Sequence, residues 1–237
     1  PAVPTATPQP TPTPQPTPTP VVFPPTPTPS PQFLNTYESI RRSVVKVQTP
    51  QGHGTGWVFE NGWILTAEHV VTSLTQVTIH YVDENGDAKF QTGQVTGTDR
   101  LRDLAVIRLQ IDLPALSIRG VTREDAAEPI MTVGYSSGDV GFPSVRVGVI
   151  TTMVEVVGVN IRGLETDSDV DPGDSGGPMF DLAGNVVAIN QATTLTTSSG
   201  QRVQGQQKSL LTSEAAEVWE QLKTGSVNNG QEYWWRR

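Results

Sequence analysis

The stretch Asp171-Pro172-Gly173-Asp174-Ser175-Gly176-Gly177-Pro178 decides how the rest of the chain is read. A serine set between glycines on a tight turn presents its hydroxyl with no neighbouring side chain in the way. The same turn aims successive backbone N–H groups at one point, which is what stabilising a developing oxyanion requires. Taken alone, the stretch is also compatible with a plain glycine-rich turn. Two further segments bear on the choice. Trp63-Ile64-Leu65-Thr66-Ala67-Glu68-His69-Val70-Val71 sets a histidine just past a hydrophobic strand, on a short helical turn. Asp103-Leu104-Ala105-Val106-Ile107 sets a carboxylate at the head of a buried strand. A buried, unpaired carboxylate is costly, so Asp103 needs a partner. The ring N–H of His69 is the partner expected, giving the chain order His69, Asp103, Ser175.

Outward from these segments the pattern is that of strands. Runs rich in Val, Ile and Thr occur at 44–48, 56–59, 63–66, 76–82, 90–96, 104–109, 129–134, 145–159, 177–180, 186–191 and 208–211, bounded by Gly, Asn and Asp turns. Asp83-Glu84-Asn85-Gly86-Asp87 reads as a hairpin loop in which Asn-Gly supplies positive φ. Asn35-Thr36-Tyr37-Glu38 has a helix-start signature, predicting a short helix to about Arg42. Residues 213–223 form the convincing helix, with Ser213 as cap and Ala216, Val218, Trp219 and Leu222 on the apolar face. The fold class expected is therefore all-β, made of barrels or sandwiches, with a C-terminal helix.

Composition divides the 237 residues before any motif does. Fourteen of the 20 prolines fall in the first 31 residues, and the first charged side chain is Glu38. Residues 1–36 thus read as an extended Pro/Thr-rich linker, residues 37–224 as the globular domain and residues 225–237 as a tail. Proline fixes φ and removes a donor, so the linker cannot enter a helix interior or a central strand. As polyproline II, 28 of its residues would reach roughly 85 Å. The preferred reading is a spacer, over a docking ligand or a leader without a role. With no cysteine there is no disulfide scaffold, thiol nucleophile or cysteine-ligated metal. Three scattered histidines leave little room for a metal site, and no cofactor is expected. A formal net charge of −8 argues against a nucleic-acid partner. No run of 18 apolar residues suggests a membrane span.

The three motif segments resemble those of the chymotrypsin/trypsin-like serine proteases, and within them the bacterial high-temperature-requirement (Deg-type) group. The likeness extends to Gly54-Thr55-Gly56-Trp57 and to Gly184-Asn185-Val186-Val187-Ala188-Ile189-Asn190, and covers roughly residues 37–224. It implies two six-stranded antiparallel β-barrels with the active site between them. It also implies serine endopeptidase chemistry through an acyl-enzyme. Ser175 would attack the scissile carbonyl, His69 would relay its proton, and Asp103 would hold the imidazole tautomer. The N–H groups of Gly173, Asp174 and Ser175 would form the oxyanion hole. Asp169, six residues before Ser175, holds the position of a trypsin-like pocket carboxylate, and Asn190, Gln191 and Ala192 match the strand that pairs with substrate backbone. Asp169 would favour basic P1 residues, the alternatives being small or apolar side chains, or acidic ones through Lys208.

This sequence departs from the family pattern in three ways. Glu68 stands before the histidine where a small residue is usual; it would either raise the histidine pKa or face solvent, the latter being the preferred reading. Asp174 precedes the serine where Deg-type enzymes often carry Asn. No activation sequence near residue 40 supplies a new N-terminus for it to pair with, so another partner or exposure is expected. No peptide-binding domain is expected after the protease segment. Elsewhere, His53 reads as a solvated loop histidine, His80 as a residue on a strand face, and Glu124, Asp125 and Glu128 as a surface loop. The tail Tyr233-Trp234-Trp235-Arg236-Arg237 would contact a membrane interface or partner, pack on the C-terminal helix, or lead to a further segment. Competing functions are a catalytically silent peptide-binding or holdase module and an esterase. Protein or peptide substrates, and a bacterial extracytoplasmic location, secreted or tethered to the cell surface, complete the reading.

Overall fold

The computed structural model describes residues 31–191, 207–230 and 232–236. The linker through residue 30, its apolar break Val21-Val22-Phe23, and Ala192 lie outside the described residues. Two closed antiparallel barrels of six strands each form the molecule. The first comprises β1 (Val44–Thr49), β2 (Gly52–Glu60), β3 (Trp63–Thr66), β4 (Gln76–Val82), β5 (Ala88–Asp99) and β6 (Leu104–Arg108). Its order is β5-β4-β1-β2-β3-β6, and pairing of β5 with β6 closes it. The second comprises β7 (Pro129–Gly134), β8 (Ser144–Val156), β9 (Ile161–Thr166), β10 (Pro178–Phe180), β11 (Val186–Asn190) and β12 (Gln207–Leu211), in the order β10-β11-β12-β9-β8-β7. Closure leaves neither barrel with an unpaired edge.

Strand alternation sorts the apolar residues into three clusters. On β6, Ala105 and Ile107 point into the first barrel with Val45, Val47, Ile64 and Ile79. Leu104 and Val106 point the other way, into a cluster with Trp57, Leu65, Met131, Val133, Tyr135, Phe180 and Ile189. That cluster takes side chains from both barrels and fuses them. Ile130, Ile150, Leu164, Met179, Val187 and Leu211 fill the second barrel. Truncating one of these buried aliphatics to Ala would cost about 2–5 kcal/mol.

The sequence reading treats 145–159 as a single run and omits a strand at 161–166. In the structure the run is the first arm of a hairpin, turning at residues 157–160, with β9 as its return arm. Arg162, Gly163 and Glu165 dilute the apolar alternation of β9 and hide it. Helix α1 (Pro31–Ile40) starts ahead of the expected cap, so Asn35 lies inside it. Its buried Thr36 donates to Leu182 O. Helix α3 (Thr212–Lys223) buries Ala215, Trp219 and Leu222, whereas Ala216 is exposed, and no side chain caps its start. Trp219 stacks on Phe59 at 4.1 Å between centroids and donates Nε1–H to Glu60. After α3 the chain runs back along the first barrel, where β13 (Val227–Asn228) pairs in parallel with β5. Asp125 and Glu128 are not free surface carboxylates: both pair with Arg119, which also holds Asp181. No helix among the described residues is long and apolar enough to cross a membrane.

Candidate active site

The 171–178 stretch is a chain of tight turns leading into β10. Asp174 N donates to Asp171 O at 3.0 Å, and Gly177 N to Asp174 O at 3.0 Å. Gly173 (φ +105°) and Gly176 (φ +83°) adopt backbone that L side chains rarely take. Space excludes side chains as well: a Cβ on Gly176 would lie 2.4 Å from both Thr55 O and Thr66 Oγ1. Two carbonyls of the loop, Gly173 O and Ser175 O, are turned toward the first barrel. Thr55 Oγ1 donates to Gly173 O at 2.7 Å and Thr55 N donates to Ser175 O at 2.8 Å. Thr55 Oγ1 in turn accepts Tyr135 N at 2.8 Å, so one hydroxyl ties the loop to both barrels. Because Asp174 N is spent on Asp171 O, it is not a free member of an oxyanion hole. That leaves the N–H groups of Gly173 and Ser175 in this turn.

Asp174 is buried, and its partners are internal. Its carboxylate accepts from Ser136 N at 3.0 Å, Asp171 N at 3.1 Å and Ser144 Oγ at 3.2 Å. Burial raises its pKa, and these donors, with Arg146 nearby, only partly offset that. No new N-terminus is needed to satisfy it. Asp171 is held by Arg146.

His69 sits on the one-turn helix α2 (Glu68–Val71) that follows β3. Antiparallel pairing of β3 with β6, Thr66 opposite Ala105, brings that turn beside Asp103. The Asp103 carboxylate is fully buried and lies against His69 twice: His69 N donates to Oδ1 at 2.9 Å, and Nδ1 lies 2.7 Å from Oδ2. A carboxylate acceptor fixes the proton on Nδ1 and leaves Nε2 as the basic nitrogen of the neutral ring. Burial pulls the His69 pKa down. The hydrogen bond and charge of Asp103, with the charge of Glu68, outweigh it and hold the pKa above the ordinary 6.5, against the opposing charge of Arg236.

His69 and Ser175 line one cavity of about 250 Å³, shared with Pro172, Gly173, Val70 and His53. His53 is therefore not a solvated loop histidine. It lies half-buried on β2, with Nε2 at 2.8 Å from Tyr135 O, and a carbonyl acceptor requires Nε2 to carry the proton. Glu68 likewise does not face solvent. It is buried and accepts the Tyr233 hydroxyl at 2.7 Å. His80 lies half-buried on β4.

The specificity residues fare differently from one another. Asp169 is exposed and is not among the residues lining that cavity. Asn190 cannot pair with substrate backbone, because its N and O are already bonded to Gly177 O at 2.8 Å and Gly176 N at 2.7 Å. Gln191 is buried, its amide facing inward toward the Asp103 turn rather than into the cavity. Lys208 is on β12, opposite Glu165 of β9.

Residues 54–189, more than half the chain, match the trypsin-like peptidase domain. The chain belongs to the trypsin-like peptidase family. A probable periplasmic DegP-like serine endoprotease of Hahella chejuensis is 30% identical over 189 residues, covering 77% of this chain and 38% of that protein. The chloroplastic Do-like protease 1 of Arabidopsis thaliana is 30% identical over 159 residues, covering 62% and 34%. The chain thus spans well under two thirds of the length of these relatives. The structure of the HtrA-type protease AlgW with a tripeptide superposes with a TM-score of 0.66 at 26% identity, over 81% of this chain and 64% of that one. The crystal structure of Deg5, at 22% identity and TM-score 0.70 over 82% and 96% of the two chains, shares the fold. For a trypsin-like peptidase domain the two barrels and the cavity between them are the expected frame.

Sequence reasoning missed four residues at this site. Thr55 was seen only as part of a motif, and His53 carried no signal beyond flanking glycines. Trp234 and Trp235 stand out as aromatic, but nothing in sequence points them at Gln191 and Asp103.

Proposed function

We propose that this chain is a serine endopeptidase acting through His69, Asp103 and Ser175. The observation that carries the reading is the double contact of the buried Asp103 carboxylate with His69, backbone and ring, beside a serine on a positive-φ glycine turn. In the reaction His69 Nε2 removes the proton of Ser175 as its Oγ attacks the scissile carbonyl. Asp103 stabilises the imidazolium that forms, without itself taking the proton. The tetrahedral oxyanion is received by the N–H groups of Gly173 and Ser175. Collapse transfers the proton to the leaving amine and leaves an acyl-enzyme, which water hydrolyses by the reverse sequence. Peptide or protein segments are the substrates. The exposed position of Asp169 favours small or apolar P1 residues over basic ones. An extracytoplasmic bacterial setting, with the Pro/Thr-rich linker as spacer, fits the periplasmic designation of DegP-like relatives.

Fluorophosphonate labelling of the wild type and of Ser175→Ala tests the reading, together with turnover of a quenched peptide library. Labelling of the wild type alone, with peptide cleavage, is the expected result. A folded wild type that neither labels nor cleaves would leave a binding module on the same fold. Ester hydrolysis without any peptide cleavage would make it an esterase.

A further inference from the structure

Three consecutive aromatic side chains at the C-terminal end reach the surroundings of His69 and Asp103, each with a polar atom. Tyr233 donates its hydroxyl to Glu68, the residue before His69, at 2.7 Å. Trp234, fully buried, donates Nε1–H to Gln191 Oε1 at 2.5 Å. Trp235 donates Nε1–H to Asp103 Oδ2 at 3.1 Å. The segment is anchored by its own backbone, with Trp234 N on Leu101 O at 2.9 Å, and Trp234 stands over Gly163, where a Cβ would lie 2.2 Å from its ring. The Tyr233 and Trp235 rings stack at 4.9 Å, and Arg236 lies over both.

The effect on Asp103 is specific. Asp103 sits at φ +54°, a conformation that costs a non-glycine residue and needs support from outside the turn. Gln191 supplies it: Nε2 donates to Asp103 O at 3.0 Å and to Arg102 O at 2.6 Å. The Trp234 indole can only donate and the two carbonyls can only accept, so the Gln191 amide has one permitted orientation. Trp234 therefore fixes Gln191, and Gln191 fixes the Asp103 peptide. At the other end of the residue, Oδ2 receives two donors, His69 Nδ1 and Trp235 Nε1, while Oδ1 receives His69 N. With three donors on two oxygens, the carboxylate plane has no freedom to turn away from the imidazole.

We propose that Trp235, supported by the Trp234–Gln191 pair, is a positioning residue that sets the orientation of Asp103, and through it of His69. This rests on the serine endopeptidase reading above. An indole N–H on the carboxylate draws off part of its charge, which tempers its hold on the imidazolium. Removing that donor leaves more of the carboxylate charge facing the imidazole and shifts the His69 titration upward. The charged and titratable groups facing the pair are Glu68 on its own helix, Arg236 and Tyr233 from the tail, and Arg100, which lies over the Tyr233 ring. Tyr233 and Arg236 both touch the Trp235 ring, so the substitution that tests the donor must keep a ring for them to pack on.

The test is Trp235→Phe, which keeps a ring and deletes the donor. Expected are a kcat lower by about tenfold with KM within about twofold, and an acid limb of kcat/KM moved to higher pH. Nitrogen-15 NMR titration of His69 in the Ser175→Ala background, with and without Trp235→Phe, reads the same shift without turnover. Unchanged kcat and an unmoved His69 titration would overturn the proposal. So would a kcat loss accompanied only by a lower Tm, which would mark plain packing. Loss of labelling in the wild type itself would instead strike the serine-protease reading, and the NMR titration would still decide the role of Trp235.

Discussion

The serine loop lines the cavity with His69 and the Asp103 turn holds His69 from its buried side, yet the two are held in different ways. The loop is shaped largely from within. Gly173 and Gly176 allow its turns, Asp171 O and Asp174 O receive its own N–H groups, and the Asp174 carboxylate binds Asp171 N. The Asp103 turn takes support from far away. Its strained backbone and its carboxylate depend on Gln191, 88 positions on, and Trp235, 132 positions on. The serine turn is closed mainly by its own hydrogen bonds, whereas the Asp103 turn, closed locally by Asp103 N on Arg100 O, draws its further support from Gln191 and the tail.

This contrast can be broken by mutation. The largest effect is expected for Asp103→Asn, which keeps the volume but can present an N–H to His69 Nδ1 and so enforce the wrong tautomer. Loss of kcat on the order of 10⁴-fold is expected in steady-state peptide assays. Next comes Gly173→Ala. Its Cβ would lie 2.7 Å from Tyr135 O and 2.8 Å from His53 Nε2, at a φ that alanine disfavours. The loop must shift and its oxyanion donors with it, lowering kcat by about 10²–10³-fold at nearly constant KM. If activity survived, the loop would be less dependent on its own glycines than this comparison holds.

Thr55→Val probes the side-chain bond that the serine loop takes from the first barrel, and leaves the Thr55 N bond to Ser175 O in place. It leaves Gly173 O and Tyr135 N buried without their partner, and denaturant unfolding should lose about 2–4 kcal/mol. The smallest effect is in the wild-type pH profile. The base must start neutral, and Asp103 and Glu68 hold the His69 pKa above 6.5 in spite of burial. The rate should therefore fall as pH drops through a midpoint above 6.5, and a profile flat from pH 5 to 8 would remove His69 as the base.

How much of this was legible follows the same division. The strands of the first barrel were readable because β1, β3, β4 and β6 are short apolar, mostly Val- and Ile-rich runs bounded by turn residues. Ile161–Thr166 was not, since a closed barrel needs a sixth strand even where its sequence carries Arg, Gly and Glu. His69, Asp103 and Ser175 were readable as three motifs in order, but Glu68 was misjudged. A carboxylate reads as solvent-facing unless its partner is visible, and the Tyr233 hydroxyl is 165 positions away. His53 was misjudged for a similar reason: flanking glycines suggest a loose turn, whereas the register of β1 with β2, Gln48 opposite His53, makes it a strand residue beside the cleft.

By itself the sequence determined the fold class, the glycine-bounded serine turn and the three residue types of the proposed triad. These rest on interactions within a few residues, and local chemistry is written in local order. Only the tertiary structure decided what surrounds Asp103, which oxyanion donors stay free, and where the aromatic tail ends. Those depend on strand register and barrel closure, which bring residues more than eighty positions apart within hydrogen-bonding distance.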